Sequence, residues 1–142
     1  MVVKEFKPYV PFVNVAQDTL IKDMVKRFKE HPPIHHICVV DESGKLKGII
    51  NRKKIFQTVF SHHVPADSRV TQLYNLLTAE KADDLMISNV ITVAEDEEIN
   101  AVIKKMIAHD LFEIPVANKA MHVLGFLTSN QILEKLAKEQ GF

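Results

Sequence analysis

The chain has 142 residues, 46% hydrophobic and 25% charged, enough for one ordinary soluble domain or two very small ones that bury about two thirds of their unfolded surface. Eighteen Lys and Arg balance eighteen Asp and Glu, which removes the electrostatic case for nucleic-acid or membrane binding. The single cysteine, Cys38, excludes an internal disulfide and fits a reducing compartment; no apolar run approaches a bilayer span, "MVVKEFKPYV" lacks a secretion-signal pattern, and the cytoplasm is the expected location.

In chain order, "FVNV" (12–15) reads as a short extended lead-in. A helix follows from Asp18, with Ile21, Met24, Val25 and Phe28 on one face. Pro32 and Pro33 end it. "IHHICVVD" (34–41) has the look of a buried strand, which makes Cys38 an inert core thiol. "DESGK" is a good tight-turn sequence. "LKGII" is a second strand, and a closing helix starts at Asn51. Between 61 and 89, Val70, Leu73, Tyr74 and Leu77 form a helical stripe, so this stretch is a packed connector. Asp83-Asp84 within it reads as a helix start.

The same order then recurs. "VITV" (90–93) leads in. Glu95 to Glu98 open a helix with Ile99, Val102, Ile103 and Met106 on one face. Acidic residues at both helix starts suit the positive end of the dipole. "LFEIPVAN" (111–118) answers the first strand, "NKAMH" is a poorer turn of equal length, and "VLGFL" runs straight into a helix at Thr128. Gly48 answers Gly125, Ile50 answers Leu127, and Ile55 answers Ile132. The chain thus divides into repeat 1 (1–65) and repeat 2 (66–142, with the connector helix). Each has too few elements to cover both faces of its strands, so the copies are expected to fold as a single module.

Several stretches carry a family resemblance: "DDLMISNVITVAEDEEINAVIKKM", "FEIPVANKAMHVLGFLTSNQIL" and "IHHICVVDESGKLKGIINRKKIF". Over roughly residues 3–138 the chain resembles a stand-alone tandem pair of CBS domains, a Bateman module. The resemblance implies an α/β (α+β) fold, two βαββα repeats packed with pseudo-twofold symmetry around a cleft. It also implies a homodimer, and a regulatory role in which an adenine nucleotide or related adenosyl ligand (AMP, ADP, ATP, NAD or S-adenosylmethionine) occupies the cleft. A regulated enzyme or transporter would be the partner. No cofactor is obligatory on this reading, and the adenine nucleotide is a possible ligand. A ligand-free dimerisation and protein-interaction module is the alternative.

The corner where strand meets helix suits such a ligand, because the first N–H groups of a helix lack intrahelical acceptors and carry partial positive charge. In the family a hydroxyl at that corner is followed three residues later by an Asp that holds the ribose. Here Thr128 is present but Gln131 stands in place of Asp; in the first repeat Asn51 and Lys54 occupy the two positions. Thr128 to Gln131 also fits a capping box. His35 and His36, at the start of the first strand, resemble the family's phosphate-directed residues. Arg52, Lys53 and Lys54 add a local basic set, whereas Phe112 and Glu113 stand opposite the histidines in the repeat. The resemblance places an apolar slot for adenine at Ile91 and Ile114, with Val13, Val15, Val93 and Ile37.

Seven histidines suggest metal, but the adjacent pairs His35-His36 and His62-His63 should point apart on regular structure, and no HExxH or paired-cysteine spacing exists. No nucleophile elbow, P-loop or G-x-G-x-x-G is present. Neither a metal site nor an enzyme is expected.

Overall fold

A computed structural model describes residues 1–63 and 78–142; the expected connector stripe of Val70, Leu73, Tyr74 and Leu77 lies outside the described residues. The chain divides into two compact units. One is Phe12–Val90; the other joins Met1–Pro11 to Ile91–Phe142. The sequence repeat suggests a division at 65/66, whereas packing gives one continuous unit that runs on to Val90 and a second that joins the N-terminal Met1–Pro11 to Ile91–Phe142.

The first unit contains β1 (Asn14–Ala16), α1 (Ile21–Glu30), β2 (His36–Val40), β3 (Leu46–Asn51), α2 (Arg52–Val59) and the short α3 (Ala82–Leu85). Its sheet has the order β1-β2-β3, with β1 parallel and β3 antiparallel to β2. Met24 and Phe28 of α1 reach a core of Val13, Val15, Ile37, Val39, Ile50, Ile55, Ala82 and Leu85. Cys38 is fully buried within β2. Helix α1 begins later than its acidic start suggests: Leu20 is the N-cap, and Asp18 sits in the preceding turn, where Thr19 N–H bonds the Ala16 carbonyl.

The second unit repeats the plan with α4 (Ile99–Ala108), β4 (Glu113–Ala117), β5 (Val123–Thr128) and α5 (Ser129–Leu136). β4 and β5 are antiparallel. Val93 bridges Val116 in parallel, as Val15 does Val39. Both hairpins carry a register shift at the same place, Val39/Val40 and Val116/Ala117. The two turns differ as their sequences suggest. Asp41 Oδ1 accepts from the Ser43 and Lys45 amides at 2.9 and 3.0 Å, and Asn118 Oδ1 from those of Ala120 and His122, both at 3.0 Å. Gly44 takes φ 85° in the first turn; in the second Met121 must take φ 61°, which strains a residue with a Cβ.

The segment ahead of each repeat packs in the other repeat's unit. At the N-terminus a 3-10 turn, Val3–Phe6, buries both its end residues. Val3 and Phe6 join the core of Val93, Ile99, Val102, Met106, Ile114, Val116, Leu127 and Ile132. Val3 N–H and Lys4 N–H donate to the Glu97 and Glu95 carbonyls, each at 3.0 Å. In the first unit Ala82 and Asp83 N–H donate equivalently to Thr19 and Gln17, at 2.8 and 2.9 Å. Glu5 caps the Val2 amide at 2.6 Å and Asp84 the Lys81 amide at 3.2 Å. Val10 then exchanges two backbone bonds with Phe126, and Ile87 with Ile49.

This crossing explains the repeated glycine. A Cβ on Gly125 would lie 2.5 Å from Tyr9 Cβ, and one on Gly48 would lie 2.7 Å from Met86 Cβ. A different segment passes over each: the N-terminal residues 1–11, here called the strap, over Gly125, and the stretch at Met86 over Gly48. Tyr9 Oη, just beyond the N-terminal strap's turn, donates to Glu95 Oε2 at 2.6 Å, and Lys7 Nζ lies 3.0 Å from the same oxygen. The Tyr9 bond, then Lys7, hold the Glu95 carboxyl below its usual range. Burial, then Glu95, push the Tyr9 hydroxyl well above its ordinary value.

Candidate functional site

Both corners form as expected: β3 passes into α2 and β5 into α5 without a loop. In the first, Asn51 is the N-cap and its Oδ1 accepts from the Lys54 amide at 2.6 Å. In the second, Thr128 Oγ1 accepts from the Gln131 amide at 3.2 Å, and Gln131 Oε1 accepts from the Thr128 amide at 3.0 Å. That is the capping box read in the sequence. The hydroxyl also lies 3.3 Å from Gln131 Oε1, as donor.

A further donor at each corner is taken by the residue just ahead of the neighbouring strand, β2 or β4. Arg52 N–H bonds the His35 carbonyl at 2.9 Å, and Ser129 N–H the Phe112 carbonyl at 2.8 Å. In the second corner three of the four N–H groups that a helix start leaves over therefore have acceptors within the chain. The helix ends are largely satisfied by the protein.

The basic set does not act as one group. Arg52 Nε and Nη2 reach the Ile34 carbonyl at 3.1 and 2.6 Å. Nη2 also approaches the carbonyls of Pro32, His31 and Phe28 at 3.1, 3.2 and 3.3 Å. The guanidinium carbon stacks 4.7 Å from the Phe28 ring centroid. Arg52 thus closes the C-terminal end of α1 and the Pro32-Pro33 turn, where cations suit unpaired carbonyls. Lys53 is exposed and Lys54 half-buried.

His36, the first residue of β2, pairs in register with Asn51; Glu113 pairs with Thr128 at the matching place. The corners therefore differ in charge as well as cap. His36 is half-buried, His35 just outside the strand is exposed, and Glu113 is only 8% exposed. Of the expected apolar slot, Ile114 has 0% exposure and belongs to the core, as do Val13, Val15, Val93 and Ile37; Ile91 is half-buried and packs at its edge.

Gln131 does more than cap. Its Nε2 donates to the Pro8 carbonyl at 3.0 Å and approaches that of Phe6 at 3.5 Å. One turn on, Lys135 Nζ donates to the Glu5 carbonyl and lies 4.9 Å from the Phe6 ring centroid. The sequence reading missed this strap contact. The signal was faint: an apolar pair three apart with an acid between, in "VKEF" and "ADDL" alike.

The His62 and His63 rings, expected to point apart, instead have centroids 4.1 Å apart in the 3-10 turn Ser61–His63. Among the described residues no group of three or more His, Cys, Asp or Glu could hold a metal ion, and no helix is long and apolar enough to cross a membrane. Several large apolar side chains face outward: Phe56 at 64% and Phe60 at 45% on and beyond α2, Leu133 at 61% on α5, and Ile107 at 77% on α4.

A duplicated β-α-β-β-α unit with a capped strand-to-helix corner in each copy defines the class of fold. The chain belongs to the CBS domain family, whose model matches residues 3–61 and 82–138. It is 32% identical over 122 residues to L-aspartate semialdehyde sulfurtransferase of Methanocaldococcus jannaschii; the match covers 86% of this chain but 21% of the relative. The chain thus spans about a fifth of that protein's length. Among solved structures, the CBS domain pair of protein MJ0100 in complex with 5'-methylthioadenosine and S-adenosyl-L-methionine matches at a TM-score of 0.72. That pair is 26% identical, with 98% of each chain covered. A CBS domain-containing protein from Thermotoga maritima matches at 0.75 and 26% identity, covering 97% of this chain and 95% of that one.

Proposed function

We propose that the protein is a regulatory module that binds an adenosine-containing ligand at its strand-to-helix corners and passes the binding state to a partner. One observation carries this reading: the near end-to-end likeness to a CBS pair crystallised with 5'-methylthioadenosine and S-adenosyl-L-methionine. The chain's own residues supply supporting chemistry. The second corner keeps the Thr128 hydroxyl, and the first has His36, Lys53 and Lys54 around Asn51. The corners favour different guests. The first suits phosphate-bearing nucleotides such as AMP, ADP, ATP or NAD. The second, with Glu113 opposite Thr128, suits adenosyl ligands without phosphate, of the S-adenosylmethionine class. Ile91 is the apolar residue with surface to offer a base, and Gln131 offers an amide where a carboxylate would hold ribose more strongly.

The module works as a homodimer in the cytoplasm on this reading, with outward apolar side chains in each unit, on α2 in one and on α4 and α5 in the other, as self-association surfaces, and a regulated enzyme or transporter as partner. Calorimetric titration and melting of the whole chain with AMP, ADP, ATP, NAD and S-adenosylmethionine test the ligand. Binding at a hundred times Kd adds about 2.7 kcal/mol of stability. No heat and no melting shift across the panel would reject it. One observation favours the second reading, a ligand-free interaction module: Gln131 and Thr128 already satisfy each other. A stable partner unaffected by nucleotides would decide for that.

A further inference from the structure

We propose that Gln131 is a latch that ties the N-terminal strap to the second corner, and that a ligand engaging the Thr128 hydroxyl releases the strap. The release step rests on the ligand reading above; the latch does not.

The geometry is a relay through one side chain. Gln131 Oε1 faces the corner, accepting from the Thr128 amide at 3.0 Å and lying 3.3 Å from its hydroxyl. The other end of the same amide, Nε2, holds the Pro8 carbonyl at 3.0 Å. An amide is planar, so its two ends cannot be re-aimed independently. The Thr128 hydroxyl donates to Gln131 and accepts from the Gln131 N–H. A ligand group that accepts the hydroxyl's one proton takes it from Gln131 Oε1, which then keeps only the Thr128 amide; where that group occupies the place of Oε1, the side chain is displaced and the bond to the strap goes with it.

The rest of the strap is built to respond. An open depression of about 430 Å³ runs along the seam, lined by Glu5, Phe6, Lys7, Pro8, Gln131, Glu134 and Lys135. Past the anchored turn at Val3 and Phe6, residues 7–9 are held from one side by Gln131 and from the other by Glu95 through Lys7 and Tyr9. Losing Gln131 leaves the side-chain hold on this stretch to a half-exposed carboxylate, beside the Lys7 N–H bond to the Lys4 carbonyl.

Hydrogen exchange of the whole 142-residue chain tests both parts, using Gln131→Glu. Glu keeps the acceptor that caps Thr128 but has no N–H for Pro8. Without ligand, exchange in residues 6–10 should rise about fivefold, the effect of one lost net hydrogen bond. Exchange at the start of α5 should stay as in the parent. Unchanged strap exchange, or fraying of α5 equal to that of the strap, overturns the latch. Gln131→Met, which loses both cap and latch, should loosen both regions. S-adenosylmethionine and AMP are then added to the parent at concentrations where calorimetry shows binding. Strap exchange should rise in the parent and stay unchanged in Gln131→Glu; slower or unaltered parent exchange overturns the release step. Absence of heat with every nucleotide removes the ligand reading and the release step, while the ligand-free comparison still decides the latch.

Discussion

Replacing Arg52 by Met should destabilise the first unit by about 3 kcal/mol, a consequence of where the guanidinium sits. Five contacts to carbonyls lie between 2.6 and 3.3 Å, but Nε and Nη2 carry only three N–H groups, so three full bonds is the ceiling. A bond from a charged donor is worth roughly 1.5–3 kcal/mol when buried. Several of these contacts reach solvent, so about 1 kcal/mol each is the better figure. The stack on Phe28 adds about 0.5 kcal/mol, which Met partly replaces by packing. The sum corresponds to a fall in Tm of roughly 8–12 °C. Arg52→Lys should lose about 2 kcal/mol, because an ammonium cannot fork between Ile34 and its neighbours. Urea unfolding followed by circular dichroism, with the m-value checked, measures both. Either variant within about 0.5 kcal/mol of the parent would refute the structural role. So would a loss of AMP affinity without a matching loss of adenosine affinity, since that would make Arg52 a phosphate ligand.

Three other predictions concern the hairpin turn, the strap crossing and pH. Met121→Gly should stabilise the protein by about 1 kcal/mol, because the φ of 61° strains a residue with a Cβ and not glycine; thermal melting reads it, and no gain would mean that Met121 packing offsets the strain. Gly125→Ala should cost about 2–4 kcal/mol, since the new Cβ would meet Tyr9 Cβ at 2.5 Å with φ at 152°; a near-neutral result in denaturant titration would show that the strap can lift. The contribution of the Tyr9–Glu95 pair to stability should be flat in mildly acidic and neutral solution. The folded Glu95 pKa lies below its unfolded value near 4.5, so this contribution is present above that pH and lost as pH falls through the folded value. Tyr9 has the opposite sense: its folded pKa is raised above 10.0, so its contribution is present below that pH and fades as pH rises past it. Tyr9→Phe should reduce both limbs in melting curves, the acid limb only in part because Lys7 still lowers Glu95 and because Asp41 and Asp84 are lowered as well, and an unchanged profile would assign both limbs to other groups.

The duplicated architecture was legible because its signals are local. Helix faces at Met24/Phe28 and Val102/Met106, Pro32-Pro33 as a stop, and Thr128 with Gln131 as a capping box each depend on residues within a few positions. Contacts set by distant segments were not legible. Nothing in "VVKEF" says that Val3 will join a core with Val102, because the partner lies far along the chain and a four-residue turn has almost no periodicity. Arg52 was read as one of three like cations; only the fold reveals that the Pro32-Pro33 turn presents carbonyls to it and not to Lys53. Ile114 illustrates a different limit. Strand alternation marks it as inward, but inward can mean a ligand slot or a sealed core, and only its complete burial distinguishes them.

The self-capping of the corners changes what a ligand must do there. A bare helix start attracts phosphate through several free N–H groups at once. In the second corner the chain has already given Thr128, Ser129 and Gln131 N–H to its own acceptors, so at most one backbone donor of the four remains. An anion there would have to break the Thr128–Gln131 box, whose net value is about 1 kcal/mol, and then approach the side of the hairpin that carries Glu113. A neutral or cationic adenosyl group faces only the first of these costs. In the first corner the Asn51 cap also withdraws the Lys54 amide, yet the Lys54 and Lys53 side chains stay on the same turn and His36 lies across the strand pair. On the proposed ligand reading, phosphate selectivity would therefore have to come from side-chain charge and not from the helix ends. For that reason the proposed reading gives two repeats with the same backbone corner different ligands.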